Sequence, residues 1–240
     1  MMRLDKFLCE TGAGTRSEVK QLLKKGLVTV NGICEKNADK KIEEKKDIIT
    51  LRGESLSFSK YHYYLLHKPA GVITATQDDK QETVMSLLKD VKDASLSKLF
   101  PVGRLDKDTE GLLLITDDGE LAHKLLSPKK HVDKTYLVQL KNPVADEDIQ
   151  KLENGVDIGD EAITMPARVK KINDTEIELT IKEGRYHQVK RMLLAVENEV
   201  VYLKRLSMGP LKLPADLEKG MYRPLLKEEI SLLKNCGLIE

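Results

Sequence analysis

The sequence predicts an α+β protein: a small N-terminal α/β module, followed by a larger domain built on a mixed, mostly antiparallel sheet with flanking helices. Three observations lead there. Positive charge gathers at the start: residues 1–60 hold 13 Lys and Arg against 9 Asp and Glu, a net +4, while the rest of the 240-residue chain carries −3. The texture changes near residue 60, from two short helical patterns to a series of strand-length apolar runs. Those runs do not alternate regularly with helices, which argues against a doubly wound parallel sheet.

Residues 1–58 make the module. The spacing of Leu4, Phe7 and Leu8 predicts an amphipathic helix over 3–10, broken by Gly12-Ala-Gly14. Thr15 followed by Glu18 has the form of a capping box, and Val19, Leu22 and Leu23 continue a helix over 16–25 that Gly26 ends. Val28-Thr-Val30 is strand-like and Asn31-Gly32 signals a tight turn. Residues 36–47, with charges of both signs, read as a surface loop or hairpin. Ser57-Phe-Ser-Lys60 reads as a linker to the domain over 61–240. There, strands are expected at 63–66, 111–116, 135–140, 169–172, 176–181 and 200–203, and helices at 82–89, 119–126, 145–153, 186–197 and 226–234.

Composition excludes several classes. At 40% hydrophobic and 33% charged residues the chain can bury a core and stay soluble. No apolar run approaches the roughly 18–20 residues that span a bilayer, and MMRLDKFLCE is not built like a signal peptide. A cytosolic protein is expected. Cys9, Cys34 and Cys236 are distant and odd in number, which speaks against a disulfide framework or a zinc site. The five histidines show no metal spacing, and no nucleotide or phosphate-loop fingerprint occurs.

The densest polar constellation is GRLDKDTEGLLLITDDG, residues 103–119, where charged residues sit between Phe100-Pro-Val and a buried-looking strand. A carboxylate on a loop feeding a rigid strand is well placed to act, although Asp106, Asp108 and Thr109 also suit a turn. The stretch nearly meets a calcium-loop pattern through Asp106, Asp108, Glu110, Gly111 and Asp117. Leu-Leu-Leu-Ile at 112–115 reads as buried strand instead. A second cluster, EGRYHQVKRM at 183–192, brings Arg185, His187, Lys190 and Arg191 to a turn and helix start. Cations there oppose the helix dipole, so a negative group such as Asp106 or RNA is expected nearby. On the module, Arg3, Lys6, Arg16, Lys20, Lys24 and Lys25 form a cationic face suited to a phosphate backbone.

Together these strings resemble the RsuA-type ribosomal pseudouridine synthases. GRLDKDTEGLLLITDDGE is similar to their central motif and YYLLHKPAGVITAT to the opening strand of their catalytic domain, with His67-Lys68-Pro69 where Asn-Lys-Pro is usual. KTYLVQL, EGRYHQVKRML and VYLKRLSMGPL resemble their tyrosine, basic and leucine-bearing segments, and residues 2–32 an S4 RNA-binding domain. The resemblance implies isomerisation of a uridine in ribosomal RNA, with no cofactor and no metal. The member acting on small-subunit 16S RNA fits best, through EGRYHQVKRM and EKGMYRPL, although large-subunit enzymes share most motifs. A silent S4-type RNA-binding protein would not need Asp106, Tyr136 and Lys190 together.

By the same resemblance, Asp106 is the essential carboxylate, and can attack C1′ or the base or remove a ribose proton. Lys190 pairs with it and Tyr136 packs on the uracil. Arg104 fills the space of the flipped nucleotide, Leu203 floors the pocket, and Arg185, His187 and Gln188 meet the substrate. A cytoplasmic monomer acting on naked RNA or a partly assembled subunit is the expected working form.

Overall fold

The computed structural model describes residues 1–44, 46–56, 61–88, 91, 96–127 and 130–236. The chain divides into two units, Met1–His62 with Asp90–Leu99 and Tyr63–Lys89 with Phe100–Glu240. The expected linker at 57–60 lies outside the described residues, as does the last residue of the helix expected at 82–89.

The first unit comprises β1 (Met2–Arg3), α1 (Leu4–Glu10), α2 (Arg16–Lys24), β2 (Val28–Val30), β3 (Ile33–Cys34), β4 (Lys41–Ile42), β5 (Ile49–Leu51) and β6 (Glu54–Leu56). The capping box forms: the Thr15 amide donates to the Glu18 carboxylate at 2.7 Å, and the Glu18 amide to Thr15 Oγ1 at 3.4 Å. Leu4, Phe7, Leu8, Val19 and Leu23 from the helices pack on Val28, Val30, Ile42 and Ile49. The sheet runs β3-β2-β5-β6, and β1 pairs with β4. That last pairing draws in Ile42, only 1% exposed, from the stretch expected to be a surface loop or hairpin.

The second unit comprises β7 (Tyr63–Lys68), a 3₁₀ turn at Val84–Leu88, β8 (Phe100–Pro101), β9 (Glu110–Thr116), α3 (Gly119–Leu126), β10 (Lys134–Leu140), α4 (Asp146–Asn154), β11 (Arg168–Asn173), β12 (Glu176–Ile181), α5 (Gln188–Ala195), β13 (Val200–Met208), β14 (Leu211–Lys212), β15 (Tyr222–Pro224) and α6 (Lys227–Asn235). Its sheet runs β11-β12-β10-β13-β9-β7-β15, with β8 on β9 and β14 on β13. Only β9 and β13 are parallel neighbours, so the sheet is mixed and mostly antiparallel.

Burial explains the texture of the strands. β7 and β9 are buried at every position, and their apolar runs at residues 63–66 and 112–115 are unbroken by polar residues. β10 and β12 are covered on one face and alternate. β13 runs five residues beyond the expected 200–203, because Lys204 and Arg205 pair with both β9 and β10. Within the stretch expected to be helical, Val84–Leu88 form a 3₁₀ turn rather than an α-helix. α5 begins at Gln188 rather than at 186, because His187 takes a left-handed φ of 48°.

One glycine fixes the centre of the sheet. Gly111 lies opposite Arg205 at φ +108°, and an added Cβ would sit 2.3 Å from the Arg205 carbonyl oxygen. Only glycine lets β9 and β13 approach here.

Candidate active site

The loop ahead of β9, the start of β10, the middle of β13 and the β12–α5 turn converge on one cleft of about 1170 Å³. Arg104, Asp106, Tyr136, Arg185, His187, Gln188, Lys190 and Leu203 all line it. The sheet thus gathers residues spread over a hundred positions.

The loop carrying Asp106 is fastened from below. Lys68, fully buried at the end of β7, directs its ammonium at the carbonyls of Pro69 (3.0 Å), Asp106 (3.0 Å), Lys107 (3.3 Å) and Thr109 (2.8 Å). Burial pushes this amine down to about 8, against the opposing pull of Asp108 and Asp106. Thr74 adds a second fastening: its hydroxyl donates to the Leu105 carbonyl at 2.8 Å and accepts from the Leu105 amide at 3.1 Å. The Thr109 amide closes a turn onto the Asp106 carbonyl at 3.1 Å. With the backbone held, the Asp106 carboxylate projects into the cleft.

Two side chains meet that carboxylate. Lys190 Nζ lies 3.3 Å from Oδ2 and His187 Nε2 lies 3.5 Å from Oδ1. The nearer partner of Lys190 is Asp108, at 2.7 and 2.8 Å, so Lys190 bridges two carboxylates. Asp108, expected to serve the turn, instead holds the lysine. Partial burial draws the Lys190 amine down, but the Asp108 hydrogen bond and the charges of both aspartates outweigh it and the net shift is upward. The hydrogen bond from Lys190 keeps the Asp108 carboxyl below the usual range. The negative group expected beside this cationic helix start is therefore a pair of aspartates.

The β12–α5 turn is knitted internally. Glu183 accepts from the Met165 amide (2.9 Å), Arg185 Nε (3.0 Å) and Gln188 Nε2 (2.7 Å). Arg185 donates further to the carbonyls of Ala162 (2.6 Å) and Ile163 (2.9 Å), and Gln188 accepts from the Arg185 amide at 2.9 Å. Arg185 and Gln188, expected to meet substrate, thus spend these bonds on loop construction. Tyr186, 73% exposed, stacks on the His187 ring at a centroid separation of 3.9 Å.

Tyr136 and Leu203 are buried cleft-lining residues on adjacent strands, two residue pairs apart in the β10–β13 register. Arg104 is exposed at the mouth and makes no ion pair or side-chain hydrogen bond with the described residues. The calcium-loop alternative is not assembled, because its carboxylates diverge: Glu110 accepts from the Tyr202 hydroxyl at 2.6 Å and pairs with Lys219 at 2.8 Å, while Asp106 faces Lys190.

On the first unit, Arg16, Lys20 and Lys24 fall four residues apart on one stripe of α2 with Lys25 beside them, all exposed and without an ion pair to the described residues. Arg3 is neutralised by Asp5 and Asp39, and Lys6 faces Glu10 at 3.7 Å. The free cationic face is narrower than the sequence suggests.

Sequence reasoning gave no role to Lys68, Thr74, Glu183, Lys134 or Arg205. Phase was the available signal for two of them: Lys134 alternates in step with Tyr136 and Val138, and Arg205 with Leu203, so both point inward. Lys68 closes a strand that is otherwise apolar or aromatic save for His67.

A family model described as RNA pseudouridylate synthase matches residues 62–195, and one for the S4 domain matches residues 2–49. The chain is 50% identical over 236 residues to an uncharacterized RNA pseudouridine synthase, YtzG, of Bacillus subtilis, covering 97% of this chain and 98% of the relative. It is 41% identical over 231 residues to ribosomal small subunit pseudouridine synthase A of Vibrio cholerae, covering 96% and 98%. A crystal structure of a pseudouridylate synthase superposes with a TM-score of 0.68 at 39% identity, covering 97% of this chain and all of the other.

Proposed function

The chain belongs to the RNA pseudouridylate synthase family, isomerases that act on RNA uridine, and carries an S4 domain at its N-terminus; from this premise we propose that it converts one uridine of small-subunit 16S ribosomal RNA into pseudouridine, with Asp106 as the catalytic carboxylate. The observation that carries the reading is the placement of Asp106 in the cleft, backbone clamped by Lys68 and carboxylate flanked by Lys190 and His187. Lys190 sets a positive charge against the carboxylate proposed to carry the chemistry.

In this reading the target nucleotide leaves its stack and its uracil enters the cleft between Tyr136 and Leu203. Arg104 stacks in the vacated space through its planar guanidinium. Asp106 takes C1′ as a nucleophile, adds to the base, or removes a ribose proton, and all three routes need the same ionised, aimed group. The N1–C1′ bond breaks, the uracil turns, and C5 bonds to C1′ as its hydrogen leaves. His187 lies at the carboxylate and meets the substrate there. The domain boundaries at 1–58 and 61–240 assign RNA grip to the first and chemistry to the second, with Arg16, Lys20, Lys24 and Lys25 as the main phosphate contacts. The small-subunit assignment is supported by relatives of that name in Vibrio cholerae and Escherichia coli, at 41% identity over 231 residues. The working form in this reading is a monomer in the cytoplasm, all the named site residues lining the cleft coming from this one chain.

The test is tritium release from transcripts labelled at uridine C5, comparing small- and large-subunit ribosomal RNA, each naked or partly assembled. Release from the small-subunit RNA alone, lost in Asp106→Ala with folding and RNA affinity retained, is the expected result. Release from the large-subunit RNA instead would reassign the substrate, and release persisting in folded Asp106→Ala would remove Asp106 from the chemistry. Tight binding of RNA with no release at all would mark a silent RNA-binding protein.

A further inference from the structure

Two cations are buried side by side in the floor of the cleft, with no carboxylate in ion-pair contact among the described residues, although the charges of Asp133 and Glu183 reach Lys134 from further off. Lys134 is 9% exposed and Arg205 is 2% exposed. Arg205 lies directly opposite Tyr136 in the β10–β13 register, and Lys134 is in phase with Tyr136 on the same strand. Lys134, Tyr136, Leu203 and Arg205 all line the cleft. Lys134 Nζ donates to the Val132 carbonyl at 3.0 Å, and Arg205 Nε to the Leu112 carbonyl at 2.8 Å. Arg205 Nη2 is buried with no hydrogen-bond partner, and neither residue has an acidic group within ion-pair distance among the described residues. Burial, and next the neighbouring charge of Arg205, pull the Lys134 amine below its ordinary value.

Such a pair is costly. A buried ion without a partner loses several kcal/mol of hydration, and Lys and Arg are almost never fully buried unpaired. The arrangement makes sense if the cleft is built to receive negative charge. Asp106 does not supply it, being engaged by Lys190 and His187. Nor does an RNA phosphate fit well: the floor beside Tyr136 and Leu203 suits the flat base, while exposed cations such as Arg104 stand at the mouth.

We propose that Lys134 and Arg205 stabilise the negative charge that develops on the uracil during the rearrangement, by donating to its carbonyl oxygens. The inference rests on the isomerase reading above. When N1–C1′ breaks, its electron pair passes to the uracil and spreads over N1, O2, O4 and C5. Asp106 meets the electron demand at C1′, as an ester oxygen or by taking the neighbouring ribose proton. The same pair then forms the C5–C1′ bond. C5 gives up its proton, N1 gains one, and any proton or ester bond on Asp106 returns, so no oxidant or reductant is needed. Preorganised donors aimed at developing charge in a water-poor site act in this way on a transition state.

The test compares Lys134→Met and Arg205→Lys with wild type under single turnover, on RNA carrying uridine or 5-fluorouridine at the target; nuclease digestion and mass spectrometry read pseudouridine from the first and, because C5 bearing fluorine has no proton to lose, the C5-linked fluorinated nucleoside with water added across N1 and C6 from the second. Fluorine at C5 makes the uracil a better leaving group, so it substitutes for part of what the cations do. Each variant is expected to lose about 100-fold on uridine but roughly tenfold or less on 5-fluorouridine, with RNA affinity within about twofold. Equal losses on both substrates would mean a structural role and overturn the proposal, as would a loss lying mainly in RNA affinity. If the variants do not fold, wild type is titrated calorimetrically with uracil and with 5-nitrouracil, which ionises near neutral pH. Tighter binding of the anion is expected, and equal or weaker binding overturns the idea. If wild type converts neither RNA, the isomerase reading itself fails; if it converts both and the variants lose equally, only the role of Lys134 and Arg205 does.

Discussion

Replacing Lys68 by Met should loosen the catalytic loop without opening a cavity. Methionine fills nearly the same volume in the same apolar surroundings, so the packing contribution stays close to neutral. What disappears is the ammonium clamp, with donor distances of 2.8–3.3 Å to the carbonyls of Asp106, Lys107 and Thr109. The ammonium has three N–H donors to share among these carbonyls and that of Pro69, and their loss at about 1 kcal/mol each gives roughly 3 kcal/mol of destabilisation. For a unit of this size that lowers the melting temperature by about 6–12 °C. Turnover should fall further than stability alone predicts, because the loop also aims Asp106: about 10- to 100-fold in single-turnover rate. The pH dependence has a definite sign. Burial pushes the Lys68 amine down to about 8. From there up to the ordinary lysine range, the unfolded chain holds the proton more tightly than the folded one. Wild type therefore gains stability relative to Lys68→Met as pH is raised through this window. Calorimetry across pH 7–10 together with tritium-release kinetics measures all three effects. A variant that melts and turns over like wild type would refute the clamp, and a stability gap that narrows as pH rises would refute the sign.

Three further outcomes are expected. Asp108→Asn removes the nearer partner of Lys190 and leaves Asp106 as its only carboxylate, so single-turnover rates should drop about tenfold while the melting temperature stays within a few degrees. Gly111→Ala places a Cβ 2.3 Å from the Arg205 carbonyl oxygen at φ +108°, and should cost more than about 4 kcal/mol, read as a collapse of folded yield or a melting point lowered far below wild type. Exchanging Arg16, Lys20, Lys24 and Lys25 for Gln should flatten the slope of log affinity against log salt by up to about 3.6, at roughly 0.7–0.9 per phosphate contact, with stability unchanged by thermal melting.

Much of this protein was legible before any coordinates. The capping box at Thr15 and Glu18 is a local pattern satisfied within one turn, so the sequence alone places α2. β9 announces itself as Leu-Leu-Leu-Ile because both of its faces are covered. A cationic helix start at 185–191 is electrostatically unfavourable by itself, and that was enough to call for a carboxylate nearby. Ordered motifs named the family and singled out Asp106, Tyr136, Lys190 and Leu203, which the sheet brings to one cleft.

Tertiary structure alone decided who holds whom. Lys190 sits nearer Asp108 than Asp106, and Arg185 is turned into its own loop, because side-chain partners 20 or 80 residues away are chosen by distances that no local pattern encodes. Ile42 became core, and β8, β14 and β15 became strands, only because a neighbour was present to pair with them. The buried cations belong here as well. The strand phase of Lys134 and Arg205 hints that they point inward, but the burial of these two and of Lys68 appears only when the sheet closes around them, since the cost of a charge is set by the medium that surrounds it.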